Sequence, residues 1–387
     1  MKPIRVSTLG KIVWVLIIFV FIIAIAFAIS FFKKGKDLPD VEPVSTDEEK
    51  IVDYTDKKLT ELDFDSSLKI TPQNDIITLT ESETYKLSGT NDKYKIVINA
   101  PNKVVKIKLA NFRTSIVDNL IKVEAASKII LDLEGNSLNE IKPNLDDINN
   151  ASNASIIVSN SDIEMSGTGT LVIDSYNDFL RTEGSFTFSD ATIEIKNIQT
   201  ALNVKGNIVV NNGIFYLNTN DDGFVCNGNF NFNDGKVIIK ATKKPIDVTG
   251  IFLINKGEIL LAGLDEFHKP NANSLQKSLI FNFEQPTDKA LVLHDTKEVI
   301  LAYEGNKEYK HVLYSKSELD ADGFVLYAGG SIGGKKKYDL YYEIEDYLED
   351  YQLICPTLES STFEVLELIN IYNGVVKKWQ LRLSFLY

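Results

Sequence analysis

Between Leu180 and Leu261 the apolar positions repeat every 22 residues, in columns that read Leu180, Leu202, Phe224, Ile246, then Phe186, Ile208, Phe230, Phe252, then Ile193, Phe215, Val237, Ile259. Inside each repeat a second apolar position follows two residues later, as Phe188 follows Phe186 and Ile195 follows Ile193. That is the period of a strand, with one face turned inward. Glycine or asparagine corners separate the runs: Gly184, Gly206, Gly228, Gly250 in one column, Ala191, Gly213, Gly235, Gly257 in another, and Ser189, Asn211, Asn233, Asn255 beside it. Three short strands per repeat, each stacked on its equivalent in the next repeat about 4.8 Å away, describe a parallel β-solenoid. No single repeat can bury its own apolar face, so the core has to form by stacking like residues along the axis.

The same alternation starts earlier and less regularly, at Ile77 and Leu79, Tyr85 and Leu87, and Ile96 and Ile98. It continues through 104–109 and 129–133 at a spacing of 24 to 25. A loop rich in Asn and Asp, 144–153, interrupts it, and Ile163, Met165, Leu171 and Ile173 rejoin the pattern. The last regular coil carries apolar residues on its outer face, Ile251, Leu253 and Leu260, which predicts that something packs there. The candidate is the β-type alternation of 278–327. Upstream, 12–32 is an apolar run without a charge, the length of a membrane-spanning helix. Ala26-Phe27-Ala28 offers the alternative of a cleaved signal peptide. Basic residues flank both ends of the run, so the expected orientation, with the stub inside and the bulk outside, follows from the shape of signal-anchored exported proteins.

The expected organisation is a cytoplasmic stub at 1–11, a signal-anchor at 12–32, an acidic linker at 33–70 and a β-helix at 71–265. A C-terminal β module at 266–330 and a tail at 331–387 of unassigned role follow. A net charge of −13 argues against nucleic acid as a partner and repels acidic polymers unless cations intervene. Cys226 stands in the column of Thr182, Val204 and Val248 and reads as a small buried residue, not half of a disulfide.

Candidate chemistry concentrates at the corner that precedes the first strand of each coil. In register this corner reads Asn177-Asp178, Gln199-Thr200, Asp221-Asp222 and Lys243-Lys244. Oxygen ligands drawn from neighbouring coils can hold calcium, and Asn177, Asp178, Asp221 and Asp222 are the candidate ligands. Asp178 and Asp222 are two coils apart, about 10 Å, and cannot share one ion directly. The alternative is that these side chains make turn hydrogen bonds. Tyr216 falls in an outward column with Glu194, Ile238 and Leu260, where it can stack on a sugar or pack beneath the C-terminal module. Arg181, also outward, is the second candidate sugar contact. Paired carboxylates on a parallel β-helix are also the equipment of polygalacturonases, but His268, His294 and His311 all lie beyond the regular coils.

The segments Tyr85-Lys-Leu-Ser-Gly89, Ile130-Leu-Asp-Leu-Glu-Gly-Asn136, Met165-Ser-Gly-Thr-Gly-Thr-Leu171, the corners Asn212-Gly213 and Asp234-Gly235, and Tyr327-Ala-Gly-Gly330 resemble the bacterial carbohydrate-binding domain-containing β-helix family, which has a clostridial cell-surface member. The likeness covers roughly 70–330. It implies a right-handed parallel β-helix with bound calcium, tethered at the cell surface and binding polysaccharides such as cellulose and polygalacturonate without an enzymatic role. The expectation is therefore a single-pass membrane-anchored, extracytoplasmic, non-catalytic polysaccharide-binding protein. The alternatives are an adhesive β-solenoid that binds a protein partner and a pectin-active enzyme.

Overall fold

The structure, a computed structural model, describes residues 58–143, 154–294, 298–317, 319, 325–329, 331–348, 357–360, 368–370 and 379–381. The expected stub, the expected membrane segment 12–32 and the loop 144–153 lie outside these residues. Among the described residues no helix is long and apolar enough to cross a membrane.

The described chain is all β, and its body is a parallel solenoid of about nine turns with three faces. The first face is an eight-stranded parallel sheet running from Ile76–Leu79 to Ile246–Val248. The second face runs from Leu59–Asp63 through Phe186–Phe188 to Phe252–Ile254, and the third from Leu138–Ile141 to Glu258–Gly263. Register follows the sequence columns: Phe186 pairs with Ile208, Ile208 with Phe230 and Phe230 with Phe252, all at most 1% exposed. The Phe230 and Phe252 rings stack with centroids 5.0 Å apart. Inward columns from all three faces merge into one core, with Cys226 buried and unpaired within it.

Polar columns fix the register from outside. Asn211 donates to Ser189, Asn233 to Asn211 and Asn255 to Asn233, at 3.3, 2.9 and 2.8 Å. In another column Ser185, Asn207 and Asn229 each accept the backbone N–H of the coil above. Both ladders reward stacking without slippage, because a one-residue shift would break every rung. The glycine corner has a steric cause. Gly213, Gly235 and Gly257 take φ of 98, 95 and 95°, and a Cβ on Gly235 would lie 2.5 Å from the Gly213 carbonyl oxygen. In the preceding coil Asp190 takes the left-handed turn, and Ala191 fills the glycine column.

The stack begins earlier than the alternation alone suggests: Leu59–Asp63, within the span read as linker, pairs in parallel with Thr84–Thr90. Only Thr60 and Leu62 point inward there, too short a signal to distinguish from a spacer. At the far end the loop after the last coil is stitched to the second face by Asn271 N–H to the Phe252 carbonyl and Gln276 N–H to the Ile254 carbonyl. The third face switches to antiparallel pairing, Glu258–Gly263 with Tyr309–Lys316, which in turn pairs with Leu279–Thr287. A five-stranded antiparallel sheet follows, in the order Val325–Ala328, Leu291–His294, Val299–Tyr303, Leu340–Leu348, Ser331–Lys337. Residues 331–348, within the span read as tail, thus belong to the same sheet as the module before them. Of the three outward apolar residues of the last coil, the module covers Leu260 completely, together with Ile238 below it, whereas Leu253 is only half-buried and Ile251 remains 46% exposed.

Candidate carbohydrate-binding surface

The corner that was expected to hold calcium is engaged in the stack itself. Asp178 Oδ1 accepts the Thr200 N–H at 2.9 Å, and Asp222 Oδ1 accepts the Lys244 N–H at 3.0 Å. Each carboxylate therefore caps the turn of the next coil, the role that Asx residues play in turns. Burial raises the pKa of both carboxyls, partly offset by these backbone hydrogen bonds. Asp221 pairs with Lys243 at 2.5 Å, and Lys244 with Asp247 at 3.1 Å. Asn177 donates its amide inward to the Val117 carbonyl at 2.8 Å. The Lys243 ammonium thus neutralises the Asp221 carboxylate of the coil below. Calcium needs at least six oxygens, and among the described residues no group of three or more His, Cys, Asp or Glu side chains converges. The Asp178 and Asp222 carboxylates and the Asn177 amide are thus engaged in hydrogen bonds within the stack.

Tyr216 does not stand free. Its ring lies 5.1 Å from that of Tyr338, its hydroxyl donates to Asp339 at 2.8 Å, and Lys240 Nζ sits 5.3 Å from the ring centroid. Of the two roles open to it, packing under the module is the one observed, with its hydroxyl pKa driven up mainly by burial. Arg181 stays exposed on the first face, in register with Asn203, Val225 and Asp247. His268 is exposed, and His311 Nδ1 is 2.7 Å from Asn282 Oδ1 in the antiparallel segment.

With the third face covered from Tyr216 onward, the open solenoid surface is the first and second faces together with the earlier coils of the third, where Leu138 is 44% exposed. On the second face the early coils place one charged residue above another, Glu61 beside Lys86, Lys86 beside Lys108 and Lys108 beside Asp132. At the start of this column a cleft of about 270 Å³ is lined by Glu61, Asp63, Lys86, Ser88, Asn111 and Glu134. Lys86 bridges to Glu134 at 3.0 Å, and Lys69 approaches Glu61 at 3.4 Å. Asn111 adopts a left-handed φ of 54° and its Oδ1 accepts the Leu138 N–H, so its side chain braces the corner behind the cleft. This floor combines carboxylate acceptors, an ammonium donor and a hydroxyl, which is the complement that sugar hydroxyls require. The sequence reading missed it because these coils depart from the 22-residue period. The available signal was the outward alternation of Lys86, Lys106, Lys108 and Asp132 between buried aliphatics. A second groove of about 340 Å³ at the far end is lined in part by Asn255, Lys256, Gln276 and Lys316, beside Leu275.

No curated protein and no solved structure matches the chain. Residues 73–332, the solenoid and most of the module that closes it, match the family model described as carbohydrate-binding domain-containing protein, and the chain belongs to that family.

Proposed function

We propose that this protein is a non-catalytic polysaccharide-binding solenoid held at the cell surface, with the uncharged run 12–32 as its single membrane anchor and the bulk of the chain outside. The observation that carries the reading is the family match over 73–332, because it takes in nearly the whole stack and not one isolated motif. The proposed binding site is the cleft of Glu61, Asp63, Lys86, Ser88, Asn111 and Glu134. Successive coils are about 4.8 Å apart, comparable to the length of one pyranose, so a linear glycan laid along the axis meets a new row of polar side chains with each sugar.

Calcium is not required in this proposal: the corner carboxylates cap turns, and the cleft supplies its own donors and acceptors. The cleft is net acidic and the chain carries −13, which favours hydroxyl-rich neutral glycans over uronate polymers. The test is affinity electrophoresis of the full chain against neutral and acidic polysaccharides, comparing wild type with Lys86→Met and Glu134→Gln. A charge-assisted hydrogen bond to a sugar hydroxyl is worth about 1.5 to 3 kcal/mol, so each variant should weaken retention roughly tenfold or more. Unchanged retention would remove the cleft from the account. A second reading, docking of a protein partner, is favoured by Leu275, 81% exposed, and Ile251 at the same end of the stack. Loss of envelope-protein capture on Leu275→Ser, with glycan retention intact, would support it.

A further inference from the structure

The junction between the third face and the module contains a buried ionic pair that neither stacking nor sugar binding needs. Lys240 points outward from Lys236–Ala241 into the module, with its side chain 2% exposed. Its Nζ lies against Asp339 Oδ2 and donates to Asn306 Oδ1 at 2.8 Å. Asp339 sits in the two-residue turn joining Ser331–Lys337 to Leu340–Leu348, and both turn residues are left-handed, Tyr338 at φ 54° and Asp339 at 63°. A bulky residue such as tyrosine in that region is strained, and such strain persists only where the surroundings over-determine it. Here Tyr338 packs on Tyr216 and bonds Glu194 at 3.0 Å, which aims Asp339 at Lys240.

Aromatic side chains line the pair, leaving the Lys240 side chain 2% and that of Asp339 16% exposed, with Lys336 Nζ 3.9 Å from Asp339 Oδ1. The Tyr216 hydroxyl donates to the Asp339 carboxylate at 2.8 Å. Tyr303, fully buried, borders the Lys240 chain at Gly305, and its hydroxyl has no hydrogen-bond partner among the described residues. Passing the ammonium proton across the contact would remove both charges from the junction and leave an amine able to attack the carboxyl carbon. Consistent with this, burial lowers the Lys240 pKa more than Asp339 restores it.

We propose that Lys240 and Asp339 are joined by an isopeptide bond. The neutral Lys240 Nζ attacks Asp339 Cγ and forms the C–N bond. Tyr216 delivers a proton to the departing hydroxyl and regains one from the nitrogen, and one water leaves. Amine plus carboxylic acid gives amide plus water, with no oxidant, activator or other reactant. Well-oriented held groups can reach effective molarities of about 10⁵ M, and burial of the Lys240 side chain opposes the reverse reaction. The bond joins residues separated by 99 positions and fixes the module to the solenoid covalently.

The experiment is intact mass spectrometry of the purified full chain, followed by tryptic mapping. The expected result is a mass one water below that of the processed sequence, with a branched peptide linking Lys240 to Asp339. Lys240→Met and Asp339→Ala should each restore the full mass, and Tyr216→Phe should slow the loss of water in freshly made protein. A full unshifted wild-type mass, separate tryptic peptides cleaved after Lys240, or a water loss mapped to other residues would each overturn the proposal.

Discussion

At the residue scale, Asp178 and Asp222 separate a metal site from a turn cap. If they cap turns, Asp178→Asn keeps the oxygen that accepts the Thr200 N–H and changes stability by less than about 1 kcal/mol, whereas Asp178→Ala orphans that N–H and costs about 1 to 3 kcal/mol. The sign of the pH dependence follows from burial. A carboxyl whose folded pKa is raised contributes stability that is complete below its unfolded value and lost as pH rises through the folded one. Asp178→Asn should therefore be equal to or more stable than wild type at neutral pH and lose that advantage in acid. Urea denaturation at the two pH values measures it, and marked destabilisation by Asn together with lost calcium binding would restore the ion. Tyr216 illustrates what a single position conceals: its outward placement was legible from its column, but the cover laid over it depends on a hairpin more than 100 residues later.

At the element scale, the coils between Leu180 and Leu261 were legible because a fixed period repeats the same steric demand at every storey. Gly235 is the sharpest case: Gly235→Ala must adopt φ near 95° with its Cβ against the Gly213 carbonyl, and should cost about 1 to 3 kcal/mol. Phe230→Ala, which opens a cavity between stacked rings, should cost about 3 to 5 kcal/mol in the same assay. Equal stability of Gly235→Ala and wild type would mean that the corner is not tight. The first coils were harder to recognise because their spacing drifts and because strands such as Leu59–Asp63 turn only two residues inward. The antiparallel segment carries its own signature in Lys307, whose pKa burial lowers to about 8. In the unfolded chain this amine holds its proton to about 10.4, so above pH 8 the unfolded state binds more protons, and stability gains with rising pH. Melting temperatures between pH 8 and about 9.5 should rise for wild type relative to Lys307→Met. Parallel curves would contradict it.

At the scale of the whole molecule, the fold class and most of the core could be read from one repeat unit, but the binding surface could not. Apart from the Asn and Ser ladders, a solenoid's outward positions carry few stacking demands, so sequence periodicity marks most of them only as polar. What singles out the early second face is the cleft there, where carboxylates, an ammonium and a hydroxyl from successive coils line one hollow. The account therefore rests on a stack that recognises glycan through its own side chains in a cleft built from the first coils. The most direct measurement is the full chain on a glycan array with and without a chelator, alongside Lys86→Met. The account predicts signal on hydroxyl-rich polysaccharides that persists in chelator and falls roughly tenfold or more in the variant. Absence of any glycan signal, or a signal abolished by chelator and indifferent to Lys86→Met, would contradict it.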